Sequence, residues 1–218
     1  MQKITVVGGS GELGGGLARL WAQAGLQVII GSRDAARAGA TAAEINAELG
    51  TDNVSGHDNL AAAAAGDMVV LAVKFAHQRA TLELIKPALV GKILVDTTVP
   101  LVPPNVARVQ LPAEGCAALI AQQTLGADTE VVSAFQNVSA SSLRDPTVER
   151  SDVLVTGDSP AAREAVVALA ARAGFTAWHA GPLANSAAME ALTSVLIFMN
   201  KRYSGDHTGI AISGVHAA

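Results

Sequence analysis

Residues 3–14 read KITVVGGSGELG, and this stretch decides the fold. Residues 3–7 form a short run rich in β-branched side chains, which predicts a buried strand. Residues 9–14 fit the pattern G-x-G-x-x-G, and apolar side chains then recur at helical spacing from Leu17 to Trp21. A glycine loop of this pattern between a strand and a helix is the fingerprint of a dinucleotide-binding fold.

The three spaced glycines have separate tasks in such a loop. Gly9 allows the tight turn, Gly11 lets the backbone approach a pyrophosphate, and Gly14 lets the helix pack closely on the strand. The free N–H groups and the positive dipole end of the helix then attract the phosphates. We therefore expect residues 9–14 to bind a dinucleotide, with a glycine-rich turn that holds no ligand as the alternative.

Strand and helix patterns alternate along the rest of the chain. This alternation predicts an α/β fold of Rossmann type, a doubly wound and mostly parallel sheet with a small helical C-terminal part. We expect an NADP-binding domain at residues 1–150, and at 151–218 a part that completes the acceptor site and a dimer contact. Further strands are predicted at residues 27–30, 53–56, 67–73, 92–95, 130–135 and 152–156, and helices at 34–49, 76–89, 159–173 and 185–199.

Composition excludes several other classes of protein. The net charge is −4 with no run of like charges, which disfavours nucleic acid as a partner. The single cysteine excludes an intramolecular disulfide and a cysteine-based metal site, and the five histidines (57, 77, 179, 207 and 216) lack metal-ligand spacing. No stretch reads as membrane-spanning and no signal peptide precedes the first strand, so we expect a cytoplasmic protein without a metal.

The end of the second predicted strand indicates which cofactor binds. Enzymes that use NAD usually carry Asp or Glu at this tip to bind the ribose hydroxyls. Here the tip reads Gly31-Ser32-Arg33, and Arg37 follows one helical turn later. A hydroxyl and a planar guanidinium suit a phosphate, so this tip predicts NADP(H) over NAD(H). Two solvated surface arginines are the alternative interpretation.

No acid–base or nucleophile motif stands out elsewhere. His77, Asp96 and Gln136 follow predicted strands at the carboxyl edge, where ligands bind in this fold. They are candidates to contact cofactor or substrate, although His77 could simply start a helix and Asp96 could cap one. Hydride transfer between two bound rings needs mainly geometry and exclusion of water. Small residues at Ala134, Ser139 and Ala140 favour a second ligand cleft, and residues 203–218 are a candidate closing segment.

Several stretches together resemble the NADPH-dependent reductases of the deazaflavin coenzyme F420. They are GGSGELG at residues 8–14, GSR at 31–33, VVSAF at 131–135 and AGPLANS at 180–186, the last followed by EALT at 190–193. The resemblance spans nearly the whole chain. It implies a homodimer in which hydride passes directly between the nicotinamide of NADP(H) and a stacked deazaflavin.

The resemblance also implies roles for particular residues. The first loop and the strand tip would bind NADP, Val73 and His77 would line the nicotinamide side, and two further positions would line the cofactor. The cofactor-binding set is thus Gly9, Ser10, Gly11, Glu12, Leu13, Ser32, Arg33, Arg37, Val73, His77, Val99 and Ala140, with Gln136 on the substrate side.

One position departs from the family pattern and leaves the acceptor open. After Ser133-Ala134-Phe135 the family commonly has His, and this chain has Gln136. Residues 137–140 (NVSA) are also similar to the cytosolic domain of transmembrane ferric reductases, which pass electrons from NADPH through a flavin. The alternatives are therefore an NADPH-dependent reductase of flavin, ferric chelate or another small acceptor, and a non-catalytic NADP-sensing module.

Overall fold

The computed structural model describes residues 2–145, 147–205 and 207–215. Within them the strands are β1 (Lys3–Val7), β2 (Gln27–Ser32), β3 (Val54–Asp58), β4 (Met68–Leu71), β5 (Ile93–Asp96), β6 (Glu130–Ser133), β7 (Val153–Gly157) and β8 (Ala177–His179). The α-helices are α1 (Glu12–Gln23), α2 (Ala35–Leu49), α3 (Asn59–Ala65), α4 (Phe75–Ile85), α5 (Ala117–Leu125), α6 (Pro160–Arg172) and α7 (Ser186–Tyr203).

One sheet joins the eight strands in the order β3-β2-β1-β4-β5-β6-β7-β8. Every neighbouring pair is parallel except β6 and β7. The predicted doubly wound, mostly parallel α/β fold is confirmed, and β7 and β8 extend its sheet beyond residue 150. One strand and two α-helices were not predicted from the sequence: the short edge strand β8 and the helices α3 and α5.

Helices cover both faces of the sheet. Buried side chains of α1, α2 and α6 form one core cluster with Val6, Val28 and Ile30. Those of α3, α4 and α5 form a second cluster with Val7 and Leu71. The strands alternate between these clusters because successive side chains point to opposite faces. No helix in the part of the chain that the structure describes is long and apolar enough to cross a membrane.

The turn after β6 differs from the expected strand through residue 135. The strand ends at Ser133, because Phe135 adopts φ 70°, in the left-handed region that a bulky residue rarely enters. Its ring is 1% exposed and meets Trp21 and Phe175 edge-on, at centroid distances of 6.0 and 5.8 Å. Aromatic packing therefore holds a strained residue where the chain leaves the sheet.

Candidate active site

The glycine loop has the geometry that its sequence predicted. A Cβ at Gly9 would lie 2.8 Å from the Val6 oxygen, and one at Gly14 would lie 2.6 Å from the Gly8 oxygen. At Gly9 the absence of a Cβ allows the tight turn, and at Gly14 it lets α1 approach the loop. Both positions therefore require glycine. Gly11 is the N-cap of α1 and supplies no side-chain hydrogen bond. The first N–H groups of the helix, including those of Glu12 and Leu13, therefore remain available to an anion.

The tip of β2 gathers hydroxyl and guanidinium groups beside this loop. The Ser32 Oγ lies 3.5 Å from the Ser10 Oγ, and an Arg37 nitrogen donates to the Ser10 carbonyl at 3.3 Å. Arg33 is exposed and makes no hydrogen bond or ion pair with the described residues. The Asp34 carboxylate is already used, because it accepts from the N–H groups of Ala36 and Arg37 as the N-cap of α2.

A cleft of about 360 Å³ lies over the carboxyl ends of β1, β2 and β4. The glycine loop and the β2 tip form one wall, and the start of α4 forms the other. The lining residues are Gly8, Ser10, Gly11, Ser32, Arg33, Arg37, Asn59, Ala72, Val73, Lys74, His77 and Thr81. The walls carry several cations and hydroxyls and no carboxylate, so the cleft suits an anionic ligand such as a phosphorylated nucleotide.

The remaining predicted cofactor residues lie around this cleft rather than in its lining. Gly9 shares a smaller cavity of about 80 Å³ with Ser10 and Gly11, and Arg144 also lines that cavity. Val99 follows β5, and Ala140 precedes a short 3-10 turn at Ser141–Arg144. Neither Val99 nor Ala140 lines the main cleft in this structure.

A second cavity of about 150 Å³ lies between the loop after β6, α7 and the C-terminal segment. Its lining residues are Gln136, Asn137, Val138, Ser139, Thr193, Leu196, Ile197, Asn200 and Thr208. Gln136 Nε2 donates to the Asp96 carbonyl at 2.9 Å and to Ser133 Oγ at 2.7 Å, so its amide oxygen is the atom left to face a ligand. Ser139 lines this cavity as expected of a small residue, whereas Ala134 is fully buried in the core.

The C-terminal segment closes one side of this second cavity. The Thr208 N–H donates to Asn200 Oδ1 at 3.1 Å, and the Asp152 N–H donates to the Ile210 carbonyl at 2.8 Å. His207 Nδ1 lies 3.1 Å from the Ser141 hydroxyl. His216, one of the five histidines of the sequence, lies outside the described residues. The described part of the tail thus packs on the loop after β6 and on the chain just before β7.

A buried polar network, rather than a ligand, occupies the Asp96 side chain. Asp96 is 1% exposed; one carboxylate oxygen accepts from Gln78 Nε2 at 2.5 Å and the other from the Thr98 N–H at 2.9 Å. Burial raises the pKa of this carboxyl, against those hydrogen bonds. Asp96 therefore holds the start of α4 against β5, and its contact with cofactor or substrate stays a prediction.

Glu190 of α7 makes a comparable buried contact. Its carboxylate accepts from the N–H groups of Ala117 at 2.6 Å and Ala118 at 3.1 Å, at the N-terminus of α5. Burial raises the pKa of Glu190 to about 8.

The described residues include no group of three or more histidine, cysteine, aspartate or glutamate side chains placed to hold a metal ion.

Comparison with known proteins agrees with this geometry. The family profile described as "NADP oxidoreductase coenzyme F420-dependent" matches residues 3–100. The F420-dependent NADP reductase of Methanothermobacter thermautotrophicus is 38% identical over 99% of this chain and 96% of its own length. The chain belongs to the F420-dependent NADP reductase family.

Two further relatives support the same membership and the same fold. The F420-dependent NADP reductase of Methanocaldococcus jannaschii is 36% identical over 98% of this chain and 99% of its own length. A crystal structure from Arthrobacter, assigned as an F420-dependent NADP reductase, superposes with a TM-score of 0.83 at 26% identity, covering 98% of this chain and all of that one.

Within this F420-dependent NADP reductase fold, sequence reasoning missed several residues of the cleft. Asn59 lies at the start of α3, a helix that was not predicted, and Lys74 and Thr81 lie on the α4 wall. The signal for α3 was present, because Asp58 accepts from the Ala61 N–H as an N-cap before an alanine run. Arg144, which lines the smaller cavity beside the first loop, belongs to a distant segment and has no local signature.

Proposed function

We propose that this chain transfers a hydride between NADP(H) and the deazaflavin coenzyme F420. Family membership supports the activity, and the cleft with Ser32, Arg33 and Arg37 at its rim supports the nucleotide. In the direction of deazaflavin reduction, NADPH gives up a hydride and becomes NADP⁺, while the deazaflavin takes that hydride and one proton from solvent. The single observation that carries the choice of NADP(H) is the phosphate-suited tip of β2, with its nearby carboxylate engaged in capping, whereas the choice of coenzyme F420 rests on family membership.

The chain's own contribution to this reaction is binding and orientation. We propose that the α1 N-terminus (Gly11, Glu12 and Leu13) binds the pyrophosphate through backbone N–H groups. Gly9 shapes this turn, and Ser10, Ser32, Arg33 and Arg37 bind the 2′-phosphate. Val73 and His77 would contact the rest of the cofactor from the α4 wall. Roles for Val99 and Ala140 stay predictions from the family resemblance.

We propose the second cavity as part of the acceptor site. Thr193 Oγ1 donates to the Gln136 carbonyl at 3.0 Å, and Asn137 Nδ2 donates to the Met189 carbonyl at 2.9 Å. These bonds fix the loop after β6 to α7, which supports a substrate-side role for Gln136 and for the part of the chain after residue 150. A fixed loop would help to hold the two reacting carbons at about 3–3.5 Å with water excluded.

We also propose a homodimer built on the exposed face of α7. Val195, Phe198, Met199 and Tyr203 recur at helical spacing and are 43%, 56%, 38% and 73% exposed. A contiguous apolar face of this kind marks an interaction surface, and a second copy of the chain matches it by symmetry. Light scattering after size-exclusion chromatography should give a dimer mass for the wild type. Phe198→Asp should give a monomer, whereas Leu84→Asp, on the exposed face of α4, should remain dimeric.

The activity is tested by mixing protein, NADPH and oxidised coenzyme F420 and following the visible band of the deazaflavin. We expect bleaching with one NADPH consumed per deazaflavin reduced. Turnover of free flavin or ferric chelate without deazaflavin bleaching would instead support a reductase with another acceptor. Tight NADPH binding without any oxidation would support a sensing module. A cytoplasmic location stays a prediction.

A further inference from the structure

The main cleft contains one buried polar side chain without a partner. Asn59 is 5% exposed and lines the cleft, yet its Oδ1 is enclosed and accepts no hydrogen bond. Its Nδ2 donates no hydrogen bond within the described residues. By contrast, Asn137, the other buried asparagine among them, donates to the Met189 carbonyl and to Thr193 Oγ1. Nδ2 is not enclosed, and no described protein atom accepts a hydrogen bond from it, so Asn59 presents an unused donor to the cleft.

The backbone holds Asn59 beside the tip of β2. Ser32 pairs in register with Asp58, so α3 begins immediately next to the tip. A Cβ at Gly31 would lie 3.2 Å from Asn59 Oδ1, and the side chain packs this closely because residue 31 is glycine. The enclosed Oδ1 lies against the sheet, which leaves Nδ2 as the atom that faces the cleft.

The position of α3 indicates which part of a nucleotide would meet this nitrogen. Arg37 extends from α2, on one face of the sheet, to the Ser10 carbonyl. Asn59 starts α3, which packs on the opposite face together with α4, the helix of His77 and Thr81. The phosphate-suited groups and Asn59 thus flank the β2 tip from different sides. A ligand whose phosphate lies beside Arg37 presents its ribose and base, rather than that phosphate, to Asn59.

We infer that Asn59 is a nucleoside-binding residue that donates a hydrogen bond from Nδ2 to an acceptor atom of the adenosine ribose or base. The inference rests on the proposed NADP(H) site and adds to it a contact that NADPH and NADH share. Asn59 therefore sets affinity for the nucleoside, while Ser32 and Arg33 discriminate between phosphorylated and unphosphorylated forms. The two roles predict different responses to the two cofactors.

Calorimetric titration of the full chain with NADPH and with NADH tests this division. Asn59→Ala should weaken both cofactors by the same factor, roughly 3- to 10-fold, which corresponds to one neutral hydrogen bond. Asn59→Leu, which keeps a similar shape, removes the donor and adds no charge, should also weaken both and provides a second variant if the alanine form folds poorly. Asn105→Ala, the same substitution on an exposed loop, is the matched control and should leave both affinities unchanged.

The outcomes separate this inference from the proposed function. An unchanged NADPH affinity in folded Asn59→Ala protein would overturn the role of Asn59, and so would a loss confined to NADPH, because that loss would assign the contact to the 2′-phosphate. Failure of the wild type to bind either nucleotide would overturn the NADP(H) site itself. A melting temperature for each variant establishes that the titrated protein is folded.

Discussion

Replacement of Glu190 by glutamine should change how the stability of this protein depends on pH. Glu190 is 1% exposed, and its carboxylate is the cap that α7 supplies to the N-terminus of α5. Burial raises its pKa from 4.5 to about 8, although the two N–H groups of α5 favour the charged form. The nearby Asp96 carboxyl also raises the pKa of Glu190. Glutamine keeps the shape and one acceptor oxygen but cannot titrate.

The sign and size of the effect follow from the two pKa values. Between about pH 4.5 and 8 the unfolded chain releases the Glu190 proton and the folded protein retains it. The free energy of unfolding therefore falls as the pH rises through this window. At roughly 1.36 kcal/mol per pKa unit, the rise from 4.5 to about 8 corresponds to a loss of about 5 kcal/mol from this one group.

Urea unfolding, followed by circular dichroism at intervals from pH 5 to pH 9, measures this contribution. The two proteins should have similar stability at pH 5, and Glu190→Gln should become the more stable by several kcal/mol at pH 8. Glu83→Gln makes the same charge change on the exposed face of α4 and should follow the wild type. A stability difference between wild type and Glu190→Gln that stays constant across this range would refute the reasoning.

Two substitutions test the packing that shapes the site. Gly14→Ala would bring a Cβ to 2.6 Å from the Gly8 oxygen, so we expect a loss of about 1–3 kcal/mol in urea unfolding and weaker NADPH binding. In its matched control, Gly39→Ala, the Cβ meets no atom within 4 Å, and a gain of about 0.5–1 kcal/mol is expected. Phe135→Ala removes the ring between Trp21 and Phe175 and should cost about 3–5 kcal/mol; a loss below 1 kcal/mol would contradict the packing argument.

The parts of the fold that the sequence predicts are those with strong local patterns. The run from β1 through the glycine loop into α1 has a strand, a turn and a helix whose residue types each suit their place. The pattern at the tip of β2 is equally local, because the three consecutive residues Gly31, Ser32 and Arg33 are enough to predict a phosphate site. Both regions are found where expected, at the carboxyl edge of the sheet.

The features that sequence reasoning missed depend on contacts between distant segments. β8 has three residues and forms only because β7 offers it an edge. The left-handed conformation of Phe135 depends on rings from α1 and from the loop before β8. Glu190 caps a helix more than 70 positions away, so neither its burial nor its partner is visible in the local pattern. Asn59 was missed because a sequence does not show that an amide side chain lacks a hydrogen-bond partner in the folded protein.

Ser32 and Arg33 hold the 2′-phosphate in the proposed site, and paired cofactor titrations test that claim most directly. Arg33→Ala should weaken NADPH by about 1.5–3 kcal/mol, the range for a charged hydrogen bond, and leave NADH nearly unchanged. Arg108→Ala, an exposed arginine on the loop after β5, should alter neither affinity. Equal losses for NADPH and NADH in Arg33→Ala, or no loss for either, would contradict the assignment.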